Sequence, residues 1–343
     1  MVLPPFFAFI EGIRQEFVFK TFSAGSQKEL FHSQNGSLAV FKKEEKLMSA
    51  YTLSVIDPVQ PYLLQTTARY YKYQVYQRGI QEFFGFSTYG PEKADEDGYI
   101  TFRMVPDVGI QTLITCDQSA FSIITLEPDV DAMFVKLKPD TEYFGIRFIP
   151  GIVGHVQKFL SQPLYAEKIR EYFLQERGFS QRCRIFQRVF DEFLDSSMEH
   201  NLNSQVPSIY AMVSKTNGDI RIDELSRHLG YSQRYMSKMI KAGFGMSPKT
   251  LCKYIKFQKS LEYLGYRSDM DITEVSNALG YYDQSHFVKY FKEFTGVTPR
   301  SYVSMVRQDR LYQKIETIGR QNADYHHRET FTPREWKNLF LAE

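Results

Sequence analysis

Residues 272–302, ITEVSNALGYYDQSHFVKYFKEFTGVTPRSY, read as two short helices joined by a tight turn. Ile272, Val275 and Leu279 fall at i, i+3 and i+7, one apolar face of a first helix. Gly280 follows, a residue free to take the positive φ that ends a helix. Asp283 then stands where a side chain caps the next helix. Along that second helix Phe287, Tyr290 and Phe291 share an inner face, while Gln284, Ser285, Val288, Lys289 and Lys292 face outward.

The stretch has a copy upstream. Leu229-Gly230-Tyr231 anticipates Leu279-Gly280-Tyr281, Lys238-Met239-Ile240-Lys241 anticipates Lys289-Tyr290-Phe291-Lys292, and Gly245-Met246-Ser247-Pro248 anticipates Gly296-Val297-Thr298-Pro299. In the first copy Ile222, Leu225 and Leu229 form the first helix face, Gly230 the turn and Ser232 the cap. Met236, Met239 and Ile240 point inward there, and Gln233, Arg234, Ser237, Lys238 and Lys241 outward. A repeated helical unit is the mark of a duplicated module.

A short helix, a glycine turn and a helix with a polar, basic outer face is the arrangement that lies in a DNA major groove. Arginine and lysine donate to guanine, glutamine pairs with adenine, and Val288 suits a thymine methyl. Lysines late in each helix suit phosphates, which position a protein without specifying sequence. His286 reads either as a backbone contact or as surface filler. Charge agrees with a polyanion partner: residues 215–310 hold 16 Lys+Arg against 10 Asp+Glu, whereas residues 1–214 hold 21 against 25. The whole-chain formal charge of +2 hides this division.

With these motifs in place, residues 218–306 resemble the DNA-binding domain of AraC/XylS-type transcriptional regulators, and 272–302 is close to that family's signature. SPKTLCKYIKFQKSLEYL (247–264) is similar to the family's long helix between its two helix–turn–helix units. The resemblance implies recognition helices at 233–242 and 284–293 that enter successive major-groove segments of double-stranded DNA. Lys238 and Lys289 stand where the family often carries arginine, and a lysine lacks the two-pronged fit of arginine to guanine. FRMVPDVGIQTLITCD (102–117) and YFGIRFIPGIVGHV (143–156) resemble, more loosely, the cupin-like sensor domain of one branch.

The front of the chain reads as β. ARYYKYQVY (68–76), YITFRMV (99–105), IQTLIT (110–115), FSIITLE (121–127) and FGIRFI (144–149) are short strand-like runs punctuated by Gly, Pro and Asp. The expected architecture is multidomain α+β: a cupin-like β-barrel or sandwich with following helices, then an all-α domain of two helix–turn–helix units joined by a long linker helix. The expected boundaries are 1–200 for the sensing or dimerising domain, 201–214 for a linker, 215–310 for the DNA-binding domain and 311–343 for an extension of unassigned role. Within the first, SQNGSLAVFKKEEKLMS (33–49) looks like a hairpin turn and a charged segment. The stripe Ile185, Phe186, Val189, Phe190, Phe193 and Leu194 serves the core of its own chain or a dimer contact, and one helix can serve both.

Aromatic residues make up 15% of the chain, enough to wall an apolar cavity. Tyr70, Tyr71, Tyr73, Tyr76, Phe83, Phe84 and Phe86 are the candidates, with Arg69 or Arg103 as a polar anchor for a small-molecule effector. An effector site built on Arg69, Tyr71, Tyr73 and Arg103 competes with a second reading, in which these aromatics only fill the barrel and the domain oligomerises or binds a protein without any ligand. A second copy of the chain and RNA polymerase join DNA and the effector as expected partners.

Enzymatic chemistry finds no support. The seven histidines include no HxH in the β region, His326-His327 falls in a polar tail, and there is no Gly-rich phosphate loop or GxSxG. Asp95-Glu96-Asp97 reads as a solvated turn before Gly98. Cys116, Cys183 and Cys252 lie far apart and suit a reducing compartment better than disulfides. The start, MVLPPFFAFIEGIRQEF, lacks the basic segment of a signal peptide. A cytoplasmic protein with no cofactor, no metal and no membrane contact is expected.

Overall fold

β-branched and aromatic runs separated by turn residues make the front half a sheet. The computed structural model describes residues 60–116, 121–128, 133–196, 205–266 and 271–320. The expectations for 1–59, for His200 and the linker up to Ser204, for the Tyr76 side chain and for His326-His327 lie outside the described residues. A short helix α1 (Pro61–Thr66) leads into β1 (Thr67–Gln77), β2 (Ile80–Thr88), β3 (Ile100–Met104), β4 (Gln111–Cys116), β5 (Phe121–Leu126), β6 (Met133–Leu137) and β7 (Glu142–Phe148). A last strand, β8 (Ile315–Arg320), comes from the far end of the chain. Six strands form one sheet in the order β5-β4-β7-β2-β1-β8, and β3 and β6 form a second. Neighbours run antiparallel except β1 and β8.

Strand alternation divides the side chains between two cores. Phe84, Phe86 and Tyr143 join Ile100, Phe102 and Leu137 of the small sheet in one buried cluster. The rings are closely layered: Phe86 stacks on Tyr143 at 5.0 Å and Tyr70 on Phe84 at 5.8 Å. Gly145 lies under the Phe84 ring, where an added Cβ would come within 2.2 Å of it. Phe83, Phe144, Ile146 and Phe148 turn to the other side and meet the helices α2 (Val153–Leu160), α3 (Pro163–Gln175) and α4 (Phe179–Ser196).

The stripe on α4 is part of this second core. Ile185, Phe186, Val189, Phe190, Phe193 and Leu194 are all buried against their own sheet and α2. Phe190 packs 5.3 Å from Phe148 and 5.0 Å from Phe159. These six side chains serve the core of their own chain, where the apolar face is covered.

The region expected to be a linker is also different. From Gln205 it is a helix, α5 (Gln205–Lys215), with Val206, Ile209, Tyr210 and Val213 buried. Its polar start hides four apolar residues at helical spacing. Beyond it come α6 (Ile222–Leu229), α7 (Gln233–Phe244), α8 (Pro248–Tyr266), α9 (Ile272–Ala278), α10 (Gln284–Thr295) and α11 (Pro299–Gln308). The 19-residue α8 joins the two helix–turn–helix units as expected.

The extension after α11 returns to the front half. Leu311 is buried in the helical core, and the Tyr312 hydroxyl donates to the Leu261 carbonyl at 3.3 Å. Lys314 Nζ donates to the carbonyls of Leu64 at 3.1 Å and Thr67 at 3.5 Å. β8 then lies parallel to β1, with Ile315 opposite Tyr70.

Phe190→Ala is expected to lower stability by about 3–5 kcal/mol, read by urea unfolding, with the sedimentation mass of the folded protein unchanged. A changed mass at full stability would contradict the intrachain assignment.

Candidate nucleic-acid interface

Both turns are built as their residue types require. Gly230 ends α6 at φ 73°, and Gly280 follows α9 at φ 67°, in the left-handed region. Ser232 Oγ accepts from the Tyr235 N–H at 3.2 Å, and Asp283 Oδ1 from the His286 N–H at 2.7 Å, so each recognition helix has a capped start. The repeated Gly-x-Ser/Thr-Pro has a mechanical meaning. Gly245 and Gly296 cap the ends of α7 and α10, Ser247 and Thr298 cap the next helices, and Pro248 and Pro299 open them.

The inner faces hold Met236, Met239 and Ile240 in α7 and Phe287 and Phe291 in α10, all buried. Tyr290 is half-buried, under the Lys253 ammonium at 4.7 Å. Gln233, Arg234, Lys238 and Lys241 are exposed on α7, and Gln284, Ser285, Lys289 and Lys292 on α10; Ser237 and Val288 are half-buried. Ser226 and Ser276 occupy equivalent, buried positions where a small side chain lets the paired helices approach.

The basic charge is sorted by element. On α8, Lys253 pairs with Glu293 at 3.0 Å, Lys256 with Asp219 at 3.0 Å and Lys259 with Glu262 at 3.0 Å. Lys253 and Lys256 tie α8 to its surroundings and Lys259 pairs within α8, while the lysines of α7 and α10 project outward. The Cys252 thiol on α8 is pushed up to about 11 by burial, with Lys256 opposing, so it stays protonated at neutral pH.

Residues 225–305 match a family model described as a helix-turn-helix domain. This part of the chain is a helix–turn–helix domain of the AraC type. The Msm operon regulatory protein of Streptococcus mutans is 24% identical over 256 residues, which cover 62% of this chain and 90% of that protein. An uncharacterized HTH-type transcriptional regulator of Bacillus subtilis, YtdP, is 24% identical over 121 residues; the match covers 33% of this chain and only 15% of that relative. Among solved structures, ToxT from Vibrio cholerae O395 is 16% identical, covering 69% of this chain and 96% of its own, at a TM-score of 0.32.

Around the AraC-type domain, the structure redistributes the residues expected to hold an effector. Arg69, Tyr71 and Tyr73 lie on one face of β1. Arg69 is exposed, Tyr71 donates to Glu142 at 2.9 Å and meets the Phe179 ring edge-on, and Tyr73 packs on the helix-side core. Arg103 is elsewhere: it sits on β3 and donates to carbonyls at the end of α10. The four do not converge on one space, and Phe83, Phe84 and Phe86 fill cores rather than line a cavity. The correction has a physical reason, since strand alternation sends neighbouring aromatics to opposite sides of one sheet.

Two exposed aromatics beside the outer faces of α7 and α10 escaped sequence reasoning. Tyr235 sits on α7 at the place of His286 in the second copy, and Tyr282, in the turn before α10, is 95% exposed. Aligning the two copies residue by residue marks the first; nothing in the apolar pattern marks the second. Among the described residues no helix is long and apolar enough to cross a membrane, and no group of three His, Cys, Asp or Glu is placed to hold a metal.

Asp283→Ala is expected to cost about 1 kcal/mol of stability, with Asp283→Asn near wild type, as read by thermal unfolding. Equal melting for all three proteins would remove the cap from the account.

Proposed function

We propose that this chain is a sequence-specific transcriptional regulator whose helices α7 and α10 enter successive major-groove segments on one face of a DNA duplex. The observation that carries the reading is the paired outer face: Gln233, Arg234, Lys238 and Lys241 on one helix, Gln284, Ser285, Lys289 and Lys292 on the other, all exposed beside buried inner faces. Gln, Arg and Ser near the helix starts read base edges, and the later lysines hold phosphates. Ser237 and Val288, half-buried, touch bases only where the helix lies deep in the groove.

The front region, up to about residue 200, sets the state of the DNA-binding part, with a small-molecule effector as its input. The closely layered rings of Tyr70, Phe84, Phe86 and Tyr143 favour a second reading, in which the input is a protein partner or a second copy of the chain. A thermal-shift screen of metabolites separates the two, because a ligand of the folded state raises its melting temperature by mass action.

Lys238→Ala and Lys289→Ala should each weaken binding to a selected duplex, and each should lower the log–log salt slope by about one. Gel-shift titrations at several salt concentrations give both quantities. Unchanged affinity in both variants would sink the assigned orientation of the two helices.

A further inference from the structure

The last turn of an α-helix leaves four carbonyl oxygens without a partner in the helix. In α10 those carbonyls belong to Lys292, Glu293, Phe294 and Thr295. The Gly296 N–H closes on Lys292 O at 2.8 Å. The other three are met by side chains from the front half of the chain. Arg103 Nη2 donates to Glu293 O at 3.0 Å, Arg103 Nε to Phe294 O at 3.1 Å, and the Tyr62 hydroxyl to Thr295 O at 2.6 Å.

The chemistry suits the place. A cation complements the negative end of the helix dipole. The planar guanidinium presents two donors at a spacing that serves adjacent carbonyls, which an ammonium does not. Gly296 allows the approach, since an added Cβ there would stand 3.1 Å from Arg103 Nη1. Both donors are rooted in the front half: Arg103 on β3 opposite Phe134, and Tyr62 on α1, packed against the core between the sheets and against the helical core. Burial pushes the Tyr62 hydroxyl up, against the lowering effects of Arg103 and of the Thr295 hydrogen bond, so it remains a donor at neutral pH.

We propose that Arg103 and Tyr62 are positioning residues for DNA recognition: the front half holds the second recognition helix by its C-terminal carbonyls and so sets how α10 meets the groove. The clamp grips the end away from Gln284 and Ser285, which remain exposed with Lys289, so it holds the helix without covering its DNA face. This rests on the DNA-binding reading above and assigns Arg103 a role other than anchoring an effector. Movement of α1 or β3 is thereby passed to one recognition helix of the pair.

The test uses the full chain and a duplex that the wild type selects from a random-sequence pool. Hydroxyl-radical footprinting on that duplex should give two protected segments, and Lys289→Ala identifies the one belonging to α10. Arg103→Ala and Tyr62→Phe are expected to lose protection of that segment and about tenfold in affinity, while the α7 segment and the melting temperature stay near wild type. Arg103→Lys, which keeps the charge but not the fork, should fall between. If Arg103→Ala does not fold, Tyr62→Phe, which removes one oxygen, decides alone. An unaltered footprint, or equal weakening of both segments, overturns the clamp and leaves the DNA-binding reading standing. A wild type that selects no duplex overturns both.

Discussion

The helices of the DNA-binding part are short, and short helices depend on their ends. α6 has 8 residues, α9 has 7, and α7 and α10 have 12 each. Isolated helices below about 12–15 residues are marginal in water. Such segments persist only if their terminal N–H and C=O groups find partners and their apolar faces find a core. The repeated glycine, serine or threonine, and proline positions answer the first need, and the buried Met, Ile and Phe residues the second. For α10 part of the answer comes from outside the module, because the partners of its last carbonyls sit on α1 and β3.

The same dependence joins the two halves. Leu64, Val105, Val108 and Ile149 belong to one buried cluster with the helices α5 to α11. The loop carrying Val105 and Val108 is fixed from both sides. Gln258 on α8 donates to Pro106 O at 2.6 Å, and Asp107 beside it is buried against Arg147. Arg147 also lies 3.4 Å from Glu82, which is 3.9 Å from Lys72. Burial alone would lower the Arg147 pKa, but Asp107 and then Glu82 outweigh it and hold the guanidinium charged. A network of this kind costs desolvation and adds little net stability, yet breaking one partner leaves a buried charge alone. Its effect here is to fix the loop that meets α8.

What the amino-acid order made legible follows from the range of the interactions. The helix–turn–helix units were readable because their signals are local: Gly230 and Gly280 at the turns, Ser232 and Asp283 at the caps, and apolar spacing within seven residues. Strands β1, β3, β4, β5 and β7 were readable from runs bounded by turn residues. β2 was not, because IQEFFGFST is buried almost throughout and so shows no alternation. The split between the α4 stripe as core and as dimer contact needed the partner surface, which is distant in sequence. Arg103 carried no signal at all for its place at α10, since that contact links residues 190 and 191 positions apart. The choice between cavity and core for the aromatics was not legible, because successive residues of a pleated strand face opposite ways and the pattern does not say which core each one joins.

β8 has a consequence for how the protein is made. It completes an edge of the sheet beside β1, although the two strands stand at opposite ends of the described chain. Synthesis proceeds at about 5–20 residues per second, so β1 leaves the ribosome on the order of ten to fifty seconds before β8 exists. Through that interval the backbone donors and acceptors along that side of β1 wait without β8, as an exposed strand edge does. The front half therefore reaches its final sheet only after the DNA-binding helices have been synthesised, and a chain interrupted between them carries an open edge.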